Sequence, residues 1–174
     1  MGVGELLIIK KMEDNYIVPA QTKIGHIHLK VSDLERALYF YRDLLGFELT
    51  TMYGSQAAFL SAGGYHHHIG LNTWYSKGMT HAHVREAGLY HTAFLYPTRK
   101  DLAAIVERLI KAGYPLSGAS DHGVSEAIYL NDPDGNGVEL YWDKPKEQWK
   151  FNPDGTIVMV TEPLDVDGLL NELN

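Results

Sequence analysis

No cysteine occurs among the 174 residues, so disulfides, thiolate metal ligands and cysteine nucleophiles are excluded. Cations are scarce as well. Fifteen Lys and Arg stand against 22 Asp and Glu, for a formal net charge of −7. That balance argues against nucleic acid or an anionic membrane as partner, since both are bound by clustered positive charge. Long apolar runs are missing too. The stretch Leu6 to Ile9 is short and lies between Glu5 and Lys10, which predicts neither a signal peptide nor a membrane span and leaves a cytoplasmic protein as the expectation. What remains is ordinary for a folded chain: 45% hydrophobic and 21% charged residues, at a length that can bury one substantial core.

The chain repeats itself. From Ile24 the sequence alternates, with Ile27, Leu29 and Val31 on one face and His26, His28 and Lys30 on the other. Ser32 to Glu35 has the form of a capping box and opens a helix with the apolar stripe Leu34, Ala37, Leu38, Tyr41 and Leu45, stopped at Gly46. Three strands are expected next, at FELTTM, QAAFLS and YHHHIGLNTW. The same order recurs from Leu89: a strand at LYHTAFLY, then a helix capped near Thr98 with the stripe Leu102, Ile105, Val106, Leu109 and Ile110. Strands follow near YPLSG, VSEAIYLN and NGVELYW. His26 and His91 hold equivalent places on the two first strands. An open βαβββ unit lacks a complete core, so the two copies should close on each other.

The expectation is therefore a single α+β domain over residues 1–174, made of two paired βαβββ modules whose mixed sheets form a cup. Module one covers about 22–73 and module two about 89–145. A linker (74–88) joins them, with His81 and His83 read as surface residues. The extension 146–174 holds a turn at Asn152-Pro153-Asp154-Gly155, a strand at IVMVT and a short helix from Val166 to Leu173.

One carboxylate stands out. Asp132-Pro133-Asp134-Gly135 is a turn sequence, and it makes a hairpin of the strands on either side. Val138 and Leu140 share one face of the second strand, which places Glu139 on the other face with Tyr141. A carboxylate within an apolar strand is costly unless it is paired or binds a metal. His26, His91 and Glu139 make two imidazoles and one carboxylate, a facial set that leaves positions open and suits iron(II). Asp132 and Asp134 are read as turn formers.

The duplicated unit resembles the vicinal-oxygen-chelate superfamily, which includes glyoxalase I, bleomycin and fosfomycin resistance proteins and extradiol dioxygenases. The resemblance covers roughly residues 22–145. Within it, the spacing from His122 through Tyr129, Asp132-Pro133 and Gly135 to Glu139 is similar to the extradiol dioxygenase signature, although Ser120 departs from the residue usual there. SAGGYHHHIGLNTW and GLYH look like catechol 2,3-dioxygenases of the bacterial two-domain kind. Those carry two module pairs where this chain has one, so the cavity is expected to be more open or completed by a partner chain, and a homodimer is the expected assembly.

The resemblance implies Fe(II) on His26, His91 and Glu139, with Mn(II) as a substitute and Zn(II) or Ni(II) as purification artefacts. It implies a small catechol-type diol and O2 as substrates, and His26 rather than His28 as ligand because His26 follows Gly25. Proton transfers fall to His122, to Tyr129 and to one of the cluster histidines. Face parity points His66 and His68 inward, whereas alignment with the family favours His67. The rivals are a glyoxalase-like isomerase or epimerase, a fosfomycin-type thiol transferase, and a non-catalytic resistance-type binder. The isomerases commonly use a fourth protein ligand, for which register offers only Gly70, with His68 as a substitute. Phe59, Tyr53, Trp74 and Tyr141 are expected to line the pocket.

Overall fold

The computed structural model describes residues 16–80 and 87–174; His81, His83 and the Leu6 to Ile9 run lie outside them. Module one consists of β1 (Ile27–Lys30), α1 (Leu34–Leu38) and strands β2 (Glu48–Tyr53), β3 (Ala57–Ser61) and β4 (Ile69–Asn72). Module two consists of β5 (Thr92–Leu95), α2 (Arg99–Lys111), β6 (Leu116–Asp121), β7 (Ser125–Asn131) and β8 (Gly137–Asp143). The sheets run β1-β4-β3-β2 and β5-β8-β7-β6-β9, where β9 is Glu162–Pro163 of the tail. In both modules the first and last strands pair in parallel and the others antiparallel. The expected α+β duplication is thus present, as two mixed sheets of the same order. No helix among the described residues is long and apolar enough to cross a membrane.

Several local features differ from the sequence reading. The cap of α1 is Asp33, whose carboxylate accepts from Arg36 N–H. Ser32 instead donates through its backbone N–H and hydroxyl to Asp134 of module two. The first helix widens into a π-helical segment over Tyr39–Leu44, with Leu45 N–H donating to the Phe40 carbonyl at 2.9 Å. The widening turns both Phe40 and Tyr41 into the core. Ile110 is exposed rather than part of the α2 stripe. IVMVT forms no strand. Ile157 makes one isolated bridge to Phe151, and the tail pairs with β6 only at Glu162 and Pro163. The short helix α3 (Val166–Leu170) then buries Leu169, and Arg99 ties it down by donating to Glu126, Glu172 and the Gly168 carbonyl.

One apolar cluster runs through both modules, built from Leu34, Leu38, Phe40 and Tyr41 on one side and Leu102, Val106 and Leu109 on the other. Phe40 packs on Tyr114 and Phe47 on Phe94, at ring-centre distances of 5.1 and 5.0 Å. The aspartates read as turn formers do more than turn the chain. Asp132 accepts from Asp134 N–H, Asn136 N–H and the Asn136 side chain, and from the buried Tyr41 hydroxyl of module one at 3.0 Å. Burial and the Asp132 charge push the Tyr41 phenol well above its usual range. Asp134 takes Ser32 and Arg36. The β7–β8 turn is therefore a polar clamp on the first helix, and the chain's own modules meet through helices and this turn.

Candidate metal centre

Sheet register places the site residues. Across module two, Ala93, Glu139, Tyr129 and Gly118 form one row on adjacent strands. The matching row in module one is His28, Gly70, Phe59 and Thr51. Glu139 and Gly70 thus hold the same position in the repeat, as do Tyr129 and Phe59. His26 and His91 match as well, each standing directly before its first strand.

The module-two row carries a connected chain of polar groups. His91 Nε2 lies 2.8 Å from Glu139 Oε2, and the Glu139 side chain is only 12% exposed. The Tyr129 hydroxyl reaches Glu139 Oε1 at 3.1 Å and His122 Nε2 at 2.6 Å. His122 Nδ1 faces the Val160 carbonyl at 2.8 Å. A carbonyl only accepts, so Nδ1 carries a proton and donates it there. Desolvation and the Glu139 charge raise the Tyr129 phenol to about 12. Gly137 makes the His91–Glu139 approach possible, because a Cβ there would run into the Tyr90 carbonyl oxygen and press on His91. Sequence reasoning missed Gly137 and the tail carbonyl of Val160. The only available signal for Gly137 was its place two residues before Glu139.

The module-one face carries the histidine cluster. His26 and His67 have ring centres 4.5 Å apart, and Phe59 packs edge-on to His67 at 5.0 Å. Phe59 and Trp74 flank His28 at 5.7 and 5.6 Å. His66 Nδ1 meets His67 Nδ1 at 2.7 Å. Desolvation and the neighbouring His26 lower the pKa values of both His67 and His28. His68 points elsewhere, its Nδ1 against Ser61 Oγ and Ala62 N–H. Tyr53 is exposed, and Tyr141 stands on the module-two strand beside Glu139.

The three expected ligands do not converge within one chain. His91 and Glu139 meet; His26 contacts the other cluster, and among the described residues no group of three or more His, Asp or Glu is arranged to hold a metal ion. The pair itself fits a divalent ion. Two ligands at ~2.1 Å subtending a right angle lie about 3 Å apart, close to the spacing of Nε2 and Oε2. His91 Nδ1 is buried with no hydrogen-bond partner among the described residues, so no protein acceptor fixes its tautomer. Gly70 offers no fourth ligand. A Cβ there would lie 2.9 Å from the His28 ring, which occupies the space that Glu139 fills in module two.

Known proteins share this architecture. The chain is 41% identical over 151 residues to a catechol-2,3-dioxygenase of Bacillus subtilis, covering 87% of this chain and 52% of that protein. It is 33% identical over 122 residues to a biphenyl-2,3-diol 1,2-dioxygenase of Rhodococcus globerulus, covering 70% of this chain and 63% of that one. It therefore spans about half to two thirds of the length of these relatives. A solved glyoxalase/dioxygenase from Nostoc punctiforme shares the fold, with a TM-score of 0.59 at 19% identity over 76% of this chain and 99% of that one. The family model of the glyoxalase/bleomycin resistance protein/dioxygenase superfamily matches residues 23–140, and the chain belongs to that superfamily.

Proposed function

We propose that the chain is an extradiol dioxygenase, cleaving a catechol-type aromatic diol with O2 by means of a divalent metal, Fe(II) or alternatively Mn(II). The observation that carries this reading is the unbroken line His91–Glu139–Tyr129–His122 on one sheet face. It combines a metal-binding pair with a proton path that starts on the same carboxylate.

Two roles separate along that line. His91 Nε2 and Glu139 Oε2 would hold the metal, which when bound supplies the redox chemistry that triplet O2 needs to react with a closed-shell ring. Tyr129 and His122 manage protons. The single Tyr129 hydroxyl proton lies between two acceptors, Glu139 Oε1 and His122 Nε2, so it can settle on either contact. His122 can take a proton at Nε2 while Nδ1 stays committed to Val160. An imidazole placed this way serves as base toward a diol, and its protonated form serves as the acid. The aromatic side chains Phe59, Trp74 and Tyr141 suit a flat ring substrate. The position of His28 over Gly70 weighs against an isomerase with a fourth carboxylate ligand.

Anaerobic reconstitution with Fe(II), followed by a panel of catechols with O2 uptake and the yellow ring-opened product as readouts, tests the reading. Stoichiometric uptake and colour with at least one catechol are expected. Inertness toward every catechol, together with thiol addition to fosfomycin or turnover of a thiol hemiacetal, would overturn it.

A further inference from the structure

We propose that the module-one face holds a carboxylate carried by the aromatic ligand, through Lys30 and Asn72. The inference rests on the reading of Phe59 and Trp74 as ring-binding residues and adds the substrate class: catechols with an acidic substituent.

Register brings the two residues together. Lys30 and Asn72 are partners on the parallel strands β1 and β4. Side chains two apart on a strand share a face, so Lys30 goes with His28 and Asn72 with Gly70. On that face the His28 ring lies over Gly70, and Phe59 and Trp74 pack on His28. Leu29, Ile69 and Leu71 take the opposite face, in the core.

Both side chains have donors to spare. Lys30 is exposed, and it is the one Lys or Arg in the nine described strands. It makes no ion pair among the described residues. Asn72 is only 5% exposed. Its Oδ1 accepts from the Trp74 backbone N–H at 3.2 Å, which leaves the amide nitrogen without an acceptor among the described residues. A primary amide this buried brings two N–H donors that call for one. An ammonium and an amide N–H beside an aromatic wall match a planar carboxylate attached to a ring.

Protection of a sheet edge does not account for the pair. Lysine on an outer strand discourages pairing with another chain, and β1 is the outer strand of its sheet. β5 is equally an outer strand, yet at the position of Lys30 it carries Leu95, 53% exposed. Leu95 is partnered with Tyr141, where module one has Asn72. Cation and amide therefore occur together in one module and are both absent from the same positions of the other.

Binding without turnover tests this. The full chain, with no metal added, is titrated calorimetrically with benzoate, phenylacetate and 3-phenylpropanoate, each beside its methyl ester. At least one acid should bind about 10-fold more tightly than its ester, the scale of a hydrogen bond to a charged group. Lys30→Met should erase that ratio and Lys30→Arg should retain most of it, with folding checked by circular dichroism. No binding of any acid, equal affinity of acid and ester, or a ratio that Lys30→Met leaves unmoved overturns the proposal. The last result would reduce Lys30 to edge protection. In a second arm, the Fe(II)-loaded protein receives the 3,4-dihydroxy derivatives of the preferred acid and its ester. The acid should have the higher kcat/KM, and Lys30→Met should lower the ratio through KM. Cleavage of both without preference overturns the substrate class. Binding that depends on Lys30, with no catechol cleaved, would keep the carboxylate site and sink the dioxygenase reading instead.

Discussion

The imidazole of His28 lies directly over Gly70, so close that a Cβ on the glycine would stand 2.9 Å from its ring atoms. In module two the same two positions hold Ala93 and Glu139. The repeat has exchanged sizes across one strand pair, small beside large in each module but in opposite order. This exchange leaves a single carboxylate at that row of the repeat, on module two.

Gly70→Ala should therefore push the His28 ring aside and cost about 1–3 kcal/mol, the range for overpacking. His28 is partly solvated and can rotate, which favours the lower end. In the background of His28→Ala the same substitution should cost much less, because the space is then free. Denaturant melts of the four proteins in a double-mutant cycle measure the coupling, and additive effects would show that the two positions do not compete.

His67→Ala and His68→Ala should separate cleanly. His67 shares the face with His26 and Phe59, so its loss should lower turnover with little change in stability. His68 is turned to Ser61 and the Ala62 N–H, so its loss should instead cost roughly 0.5–1.5 kcal/mol of stability, the net value of a hydrogen bond, with turnover retained. Steady-state kinetics beside thermal melts give the answer. The reverse pattern would remove His67 from the proton scheme.

Much of this was legible in the residues, and the parts that were not share a cause. Alternation and turn chemistry were enough to locate the repeat, the Asp132–Gly135 turn and the face carrying Glu139, because those signals are local. The π-helical segment at Tyr39–Leu44 was not legible, since its hydrophobic stripe fits an α-helix equally well. Face parity failed at His66 to His68 because β4 begins only at Ile69, so the three histidines precede the strand and need not alternate. IVMVT has strand composition but makes only one isolated bridge, at Ile157. The clamp formed by Asp132 and Asp134, and the separation of His26 from Glu139, depend on how the modules dock, which no local pattern encodes.

Asp121 should make the stability of the fold acid-sensitive. Burial alone would raise its carboxyl, but the Lys144 ammonium at 2.6 Å, the Gly123 N–H and His122 outweigh that and hold it below the usual range. A carboxyl depressed in the folded state stabilises above its unfolded pKa of about 3.9, and that stability fades as pH falls through the lower folded value. Asp121→Asn should flatten the acid limb of the stability–pH curve below about pH 4. Equal acid sensitivity in the variant and the wild type would mean that the ion pair carries no net stability.

Tyr129→Phe and His122→Ala divide the polar line at different points. Phe already stands at the matching position of module one, as Phe59, so the ring fits this row and only the hydroxyl is lost. Glu139 then loses the donor to Oε1 that orients it, and metal affinity should fall by roughly 10–100-fold, the usual effect of removing a group that orients a ligand. His122→Ala leaves Tyr129 and Glu139 in contact, so metal should stay bound while turnover drops by about 10²–10⁴-fold, the scale of a lost general acid or base. Metal titrations and steady-state kinetics of both variants make the comparison, and a His122→Ala enzyme with unchanged turnover would falsify the proton path.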